Sequence, residues 1–339
     1  MNIQQKRKDE HFFIAEKLYS PSSNQLEEIQ LIFDNLPELS LNDIDISTSF
    51  VGKKIPAPFF INAMTGGSDQ TNKINIKLAN VATKTNIPMA TGSQSIAIKN
   101  AEFADGFEKI RTTHPDLFLL GNLGASHPFE NFQKAKSMIQ ANAMELHLNV
   151  AQELTMPEGD VDFNWSRNIE DIIKKADFPI LVKGVGQGLT PNTIKKLENL
   201  GVQYIDLSGK GGTNFVAIEN QRRLKKDFSY LENIGLTTAQ SLLAAKKYSS
   251  EIELTASGGI TTALDIVKCL ILGAKNVGIS GLFLHILIKD GEDGLISFIE
   301  DLKDQIRRIM LMLGCRNIEE LSKVNYILSP SLKNFNDQI

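Results

Sequence analysis

Four polar side chains that could carry chemistry lie close together in one short segment of this sequence: His147, Asn149, Gln152 and Glu153. They follow an apolar run that begins at Ala143, which places them at the end of a predicted strand. Histidine transfers protons near neutral pH, and a carboxylate binds Mg²⁺ together with the phosphate oxygens of a substrate. A single histidine more often has a structural role, but this grouping favours a functional site. Strand alternation predicts that His147 and Asn149 point to the same side.

A second candidate is Lys183, which ends the apolar run 180–183. A buried ammonium group without a partner is costly, so an anionic or electron-rich ligand is expected nearby. Two glycine-rich segments, 257–260 and 278–281, follow the last two predicted strands. Backbone amides of such segments can hold a phosphate group, although glycines that only permit close helix packing give the same pattern.

The residues at the other strand ends are also small and polar, and the amino terminus carries a charged run at 7–11. The strand-end segments 62–67, 91–95 and 121–124 offer hydroxyl and amide groups suited to the edge of a heteroaromatic ligand. A charged terminus is normally a solvated tail. A mobile cationic arm that closes over a phosphorylated substrate is the alternative interpretation of this segment.

These residues must be positioned by the elements that precede them, and eight short apolar runs supply those elements. Each run ends on small or polar residues, and helix-period segments follow, which is the pattern of parallel strands with helical crossovers. Six of the seven spacings between strand starts have the ordinary length of a βα unit, and the longer sixth connection predicts a long loop. The eight predicted strands are Phe59–Thr65, Pro88–Ser93, Leu117–Gly124, Ala143–Asn149, Pro179–Val185, Tyr204–Gly209, Glu253–Gly258 and Asn276–Leu282.

Eight such units predict an α/β protein with a (β/α)8 TIM barrel. An open doubly wound sheet is the alternative, because periodicity alone does not prove closure. We expect an N-terminal extension over 1–56, the barrel over 57–313 and a short C-terminal tail over 314–339. The carboxyl ends of the strands are then the expected location of the active site.

Composition narrows the class of protein further. The chain has 339 residues, 42% of them hydrophobic, and a net charge of -4, so it can bury one large core and gives no sign of a nucleic-acid partner. Its most apolar stretch is interrupted by glycine, lysine and asparagine, and its first ten residues are polar, so no membrane span or signal peptide is expected. Cys269 and Cys315 are too few for a disulfide framework, which suits a cytoplasmic protein.

Taken in order, these segments closely resemble the type 2 isopentenyl-diphosphate isomerase family, which depends on FMN. The resemblance spans the N-terminal arm and nearly the whole barrel. It rests on the segments 7–11, 62–67, 92–94, 121–124, 147–149 with 152–153, 182–183, 208–209 with 211–214, and 256–260.

The resemblance implies interconversion of isopentenyl and dimethylallyl diphosphate by an enzyme with FMN, with NADPH or NADH as reductant of the flavin and Mg²⁺ on the diphosphate. It also implies a homo-oligomer, a tetramer or an octamer. His147, Asn149 and Gln152 are then the catalytic residues, and Glu153 is the metal ligand. The implied FMN contacts are Ala63, Met64, Thr65, Ser93, Asn122, Lys183, Ser208, Thr213, Gly258, Gly259, Ile260, Ser280 and Gly281. The implied substrate contacts are Arg7, Lys8, His11, Ser93, Gln94, Ser95 and Gln152.

Three positions depart from the pattern of the family. Ser95 stands where many members carry arginine, Gly184 where glutamate is common, and Lys210 where arginine is frequent.

The main rival function is an FMN-dependent barrel that oxidises a small hydroxy acid, and such an enzyme needs a basic histidine near the later strands. A cysteine nucleophile is disfavoured because neither cysteine lies on a strand-end loop, and a non-catalytic phosphate-binding module would need only the glycine loops.

Overall fold

The computed structural model describes residues 3–20, 22–248 and 251–339. Its centre is a closed barrel of eight parallel strands, so the predicted TIM barrel is confirmed and the open sheet is wrong. The strands pair in chain order, and the last barrel strand closes on the first. The barrel strands are β4 (Phe59–Ile61), β5 (Met89–Ala90), β6 (Leu119–Gly124), β7 (Ala143–His147), β8 (Ile180–Lys183), β9 (Tyr204–Asp206), β10 (Glu253–Ser257) and β11 (Asn276–Ile279).

Helices surround the barrel, and their starts follow from local sequence. Ser68 and Thr71 form a capping box at the start of the helix Asp69–Thr85, and Thr262 and Asp265 form another at the start of the helix Ala263–Ile271. Both satisfy free backbone amides. The helices are α1 (Ile3–Lys17), α2 (Asp69–Thr85), α3 (Ser95–Lys99), α4 (Asp105–Thr113), α5 (Phe129–Ile139), α6 (Val150–Thr155), α7 (Ser166–Lys175), α8 (Pro191–Asn199), α9 (Phe215–Arg222), α10 (Thr238–Tyr248), α11 (Ala263–Ile271), α12 (Gly281–Met312) and α13 (Pro330–Gln338). In the described ranges, no helix combines the length and apolarity that a membrane span requires.

Six of the eight barrel strands stop at least two residues before the predicted ends, because the polar segments turn away from strand geometry. The first strand ends at Ile61 instead of Thr65, and the sixth ends at Asp206 instead of Gly209. At Ser208 the backbone has a positive φ of 44°, which no strand adopts. The expected long loop after β9 is only partly a loop, since it contains α9 and a 3-10 turn at Ser229–Leu231.

The chain outside the barrel closes its amino-terminal end. A hairpin of β2 (Thr48–Phe50) and β3 (Lys53–Ile55) places Phe50 against Phe60, with ring centroids 4.5 Å apart. In the tail, β12 (Tyr326–Leu328) pairs antiparallel with β1 (Ile29–Leu31). The inward residues at this end form an apolar layer, which comprises Phe50, Val51, Ile55, Phe60, Ala90, Leu120, Ala143 and Leu181.

Candidate active site

A cavity of about 720 Å³ lies at the carboxyl ends of the barrel strands, where the fold predicts an active site. All eight barrel strands or the loops that follow them contribute to its wall, and α1 lies across its mouth. This volume is in the range typical of small-molecule and cofactor sites. The cavity brings together twenty-one of the residues expected from the sequence: Arg7, Lys8, His11, Ala63, Met64, Thr65, Ser93, Ser95, Asn122, His147, Asn149, Gln152, Glu153, Lys183, Ser208, Thr213, Gly258, Gly259, Ile260, Ser280 and Gly281.

Gln94 is the exception, because it does not line the cavity. Its side chain is fully buried in the barrel wall. Its Nε2 donates to the carbonyl oxygen of Ala135 at 2.9 Å, and its Oε1 accepts from the backbone amide of Asn122 at 3.2 Å. The expected substrate contact at Gln94 is therefore corrected to a structural role, since the amide is committed to holding β6 and α5 in place.

A layer of polar side chains forms the floor of the cavity, directly above the apolar layer. We call Asn62, Asn122, Glu145, Lys183 and Asp206 the polar layer; each is at least 93% buried. Lys183 Nζ donates to Asn62 Oδ1 at 2.7 Å, and Asn62 Nδ2 donates to Asp206 Oδ2 at 2.8 Å. Lys183 thus has partners within the protein, and it also lines the cavity where a ligand is expected.

Three members of the polar layer, Asn122, Glu145 and Lys183, lie two residues beyond a residue of the apolar layer on the same strand. Lys183 follows Leu181, and Asn122 follows Leu120. Because alternate residues of a strand share a face, both sets point into the barrel. The strand pattern therefore explains why a charged residue that ends an apolar run is turned inward.

His147 is held by the polar layer in a defined tautomer. Asn122 Nδ2 donates to Glu145 Oε2 at 2.6 Å, so the Asn122 oxygen faces His147 Nδ1, 2.7 Å away, and Nδ1 carries the hydrogen. Burial lowers the pKa of His147 to about 3, and the charges of Lys183 and Lys8 act in the same direction. The imidazole is therefore neutral at physiological pH, and its Nε2 is a hydrogen-bond acceptor.

The other three residues of the predicted cluster belong to the start of α6. Asn149 is the residue before the helix, two positions beyond the end of β7, so strand alternation does not align it with His147 as expected. Its Nδ2 donates to Glu153 Oε1 at 2.7 Å, and Glu153 Oε2 accepts the backbone amide of Asp160 at 2.8 Å. Gln152 Nε2 donates to Glu219 Oε1 at 2.8 Å.

Glu153 is the carboxylate of this cluster, and it lines the cavity. No group of three or more histidine, cysteine, aspartate or glutamate side chains that could hold a metal exists among the described residues. A single carboxylate suits Mg²⁺ only where phosphate oxygens and water complete the coordination. A metal ion at this cluster would therefore take one carboxylate ligand from it.

The charged amino terminus is the helix α1 and not an irregular tail. Its Lys8 Nζ lies 3.5 Å from the carbonyl oxygen of Ser93, and burial together with the charge of Arg7 lowers the pKa of Lys8 to about 8. The Nε of Arg7 is buried and makes no hydrogen bond with the residues described. Two cations thus face the cavity from one helix.

An ion-pair network fixes α1 to α9. His11 Nε2 lies 2.8 Å from Glu219 Oε1, and Arg222 joins Glu219, Glu10 and Glu158 at 2.7, 3.0 and 2.8 Å. Burial alone would raise the pKa of Glu219, but its bonds with His11, Gln152 and Arg222 lower that pKa to about 2. Glu219 therefore stays ionised and links the arm to the predicted catalytic segment.

A second contact holds the carboxyl end of α1. Glu16 Oε1 lies 2.7 Å from His285 Nδ1, and the Tyr19 ring stacks on the His285 ring with centroids 4.5 Å apart. His285 itself does not line the cavity. The only histidine after the sixth barrel strand is thus engaged in holding the arm.

The glycine loops approach one another closely on the far side of the cavity. Gly258 has a φ of +108°, and a Cβ atom there would collide with the carbonyl oxygen of Gly209. Asn24 Nδ2 donates to the carbonyl oxygen of Gly259 at 2.7 Å and braces this loop. Ser280 precedes the first turn of α12, so free backbone amides of that helix open toward the cavity.

The three departures from the family pattern occupy defined places. Ser95 Oγ lies 2.7 Å from His127 Nε2, a contact that the sequence did not indicate. Lys210 Nζ donates to the carbonyl oxygen of Asn233 at 3.0 Å. A Cβ atom at Gly184 would lie 3.2 Å from Ser208 Cβ, so the glutamate common in the family would need small adjustments of this loop.

Sequence reasoning missed four charged residues of the site, namely Glu145, Asp206, Glu219 and Arg222. A signal existed for two of them. Glu145 lies two residues before His147 and Asp206 two before Ser208, so the period of a strand places them on the inward face. Glu219 and Arg222 lie in the long connection after β9, where no periodic pattern links them to the arm.

The chain is similar to known proteins over most of its length. A model of the FMN-dependent dehydrogenase family matches residues 111–327. The isopentenyl-diphosphate delta-isomerase of Latilactobacillus sakei subsp. sakei (strain 23K) is 48% identical over 335 residues, which cover 98% of this chain and 96% of that protein. The protein of the same name from Staphylococcus saprophyticus subsp. saprophyticus is 39% identical and covers 99% of this chain and 97% of its own.

Solved structures give the same architecture at low identity. Mandelate oxidase with (S)-2-phenylpropionate superposes with a TM-score of 0.65 at 16% identity, over 96% of this chain and 98% of the oxidase. At this identity the likeness shows the barrel fold alone. By its full-length similarity to the curated relatives, the chain belongs to the isopentenyl-diphosphate delta-isomerase family.

Proposed function

We propose that this protein is an FMN-dependent isomerase that interconverts isopentenyl diphosphate and dimethylallyl diphosphate. The observation that carries the proposal is one cavity in which the strand-end loops of a flavin barrel meet a cationic arm. Family membership supports the reaction class, and the two faces of the cavity suit a flavin phosphate and a substrate diphosphate.

The residues present fit FMN. The hydroxyl of Thr65 is buried without a hydrogen-bond partner in the described part of the chain, so a ligand donor or acceptor would satisfy it. The backbone amides at Gly258, Gly259 and the start of α12 would hold the phosphate group of the cofactor. Lys183 would supply positive charge near the ring system. When bound, FMN in its reduced form supplies an electron-rich surface that stabilises positive charge on the substrate and exchanges a proton with it.

The arm and the α6 segment would hold the substrate. Arg7 and Lys8 bring two cations to the mouth of the cavity, and the unpartnered Nε of Arg7 suits a phosphate oxygen. Glu153 would place Mg²⁺ on the diphosphate through one carboxylate oxygen. The neutral His147 and the amide of Gln152 would orient the alkene end, while α1 excludes water.

The test is the number of products formed per nicotinamide oxidised, measured without oxygen. Substrate and product of the isomerisation have the same oxidation level, so enzyme reduced once by NADPH or NADH should convert many equivalents of isopentenyl diphosphate. Oxidised enzyme is the matched control and should be inactive. The purified protein should also show a flavin absorbance band.

The competing function is oxidation of a small hydroxy acid on the same barrel. It predicts one oxidised product for each two-electron acceptor reduced, and no turnover by enzyme that is already reduced and kept without oxygen. That outcome would overturn the isomerase proposal. The engagement of His285 with Glu16 and Tyr19, outside the cavity lining, counts against this alternative because the oxidation needs a free base.

A further inference from the structure

Glu145 is a fully buried carboxyl group that the proposed reaction does not use. It lies on β7 inside the barrel. Its Oε2 accepts from Asn122 Nδ2 at 2.6 Å and lies 3.7 Å from Lys183 Nζ. Its Oε1 is buried and has no hydrogen-bond partner within the described ranges. An ionised carboxylate in this position would leave an oxygen without a donor, which is costly in a dry interior.

The second carboxyl group of the polar layer has the opposite environment. Asp206 accepts three hydrogen bonds, from Asn62 Nδ2 at 2.8 Å, from Ser257 Oγ at 2.6 Å and from the backbone amide of Ser208 at 3.0 Å. Three donors suit a carboxylate. Lys183 Nζ lies 3.7 Å from one oxygen of each carboxyl group. One ammonium group neutralises one carboxylate, so Asp206, which accepts more hydrogen bonds, holds the negative charge.

Glu145 is consequently the group that gains or loses a proton. Burial raises its pKa to about 7; the charge of Lys183 opposes this shift, and that of Asp206 reinforces it. The charged groups that face Glu145 from the packed strands are these two, from β8 and β9. His147 is on the same strand, is joined to it through Asn122, and is neutral.

We propose that Glu145 is a positioning residue that binds a proton beneath the flavin site and makes the affinity of this site for reduced flavin depend on pH. The proposal rests on the function proposed above. With Glu145 protonated, the positive charge of Lys183 is shared between Asp206 and the ligand. With Glu145 ionised, the polar layer carries one more negative charge, which opposes added electrons. Nicotinamide supplies a hydride, with two electrons and one proton, and the proton on Glu145 comes from solvent.

The test is the midpoint potential of the bound flavin between pH 6 and pH 8 in three proteins. From pH 6 to pH 8, the affinity for reduced flavin divided by the affinity for oxidised flavin should fall in both proteins. The factor of this fall should be about ten times larger in the wild type than in Glu145→Gln, which corresponds to ~30 mV for a two-electron couple. Glu145→Gln keeps an acceptor for Asn122 and removes the titration. The matched control Glu253→Gln removes a carboxylate that bonds Ser49 and Val51 at the other end of the barrel, and it should behave as the wild type.

A second measurement does not depend on flavin. The infrared carbonyl band of a protonated carboxylic acid should be present in the apoprotein at pH 6, should fade as the pH rises through about 7, and should be missing in Glu145→Gln. Glu145→Met serves the same purpose if the glutamine variant does not fold. A wild type that binds no flavin would contradict the proposed function itself. A flavin-loaded wild type whose potential follows the same pH dependence as Glu145→Gln would overturn only the role of Glu145.

Discussion

The apolar and polar layers inside the barrel lie on the same strands, yet they have opposite chemistry. Leu120 and Leu181 pack in the apolar layer, and Asn122 and Lys183 follow them two residues later in the polar layer. The lower pair is sealed by the β2–β3 hairpin, whereas the upper pair opens to the cavity. One inward face of each strand therefore serves the core at one end and the site at the other.

The difference shows where this fold accepts an energetic cost. Burial of apolar groups at the lower end is favourable without any partner. The polar layer is tolerated only because nearly every polar atom has a partner, and the charges are balanced around one lysine. Removing one member of this layer should therefore have consequences that a change in the apolar layer does not have.

The largest effect is expected from Lys183→Met. This variant leaves Asp206 and Glu145 buried without their shared counter-ion, and the free energy of unfolding should fall by about 3–5 kcal/mol. Urea unfolding at pH 8 measures the loss. The variant should also lose flavin at concentrations that saturate the wild type. Retention of both stability and flavin would show that the polar layer does not depend on its lysine.

A smaller overall effect, confined to stability, is expected from Leu181→Ala, two residues away on the same strand. The cavity left in the apolar layer should lower the free energy of unfolding by about 2–5 kcal/mol. The folded variant should bind flavin with the affinity of the wild type, because nothing in the polar layer changes. A marked loss of flavin affinity, measured by fluorescence titration, would mean that the two layers are not separable.

The smallest effect is expected at the rim, from Glu16→Gln. Its partner His285 is 37% exposed at the side chain, so water screens this pair, unlike the pairs of Lys183. The free energy of unfolding should change by about 0.2–1 kcal/mol in thermal or urea unfolding. A loss comparable to that of Lys183→Met would contradict the distinction between rim and interior.

The sequence predicted the barrel because period-two and period-3.6 patterns are local properties of the chain. Nearly all the site residues that it identified line the cavity, since the end of an apolar run marks the carboxyl end of a strand. It misplaced Gln94, because adjacent polar residues of one loop can face the cavity or the wall, and local pattern does not separate them. The function came from the resemblance to a known family, and the chemistry of these residues is compatible with it.

The sequence by itself determined the eight strands, the inward direction of Lys183 and the position of the His147 segment. Only the tertiary structure decided which charges meet: Lys183 lies between Glu145 and Asp206, and Arg222 binds Glu10 across 212 residues of chain. The physical reason is that hydrophobic period depends on neighbours along the chain, whereas the energy of a buried charge depends on distances across the barrel. Those distances exist only once the strands have closed.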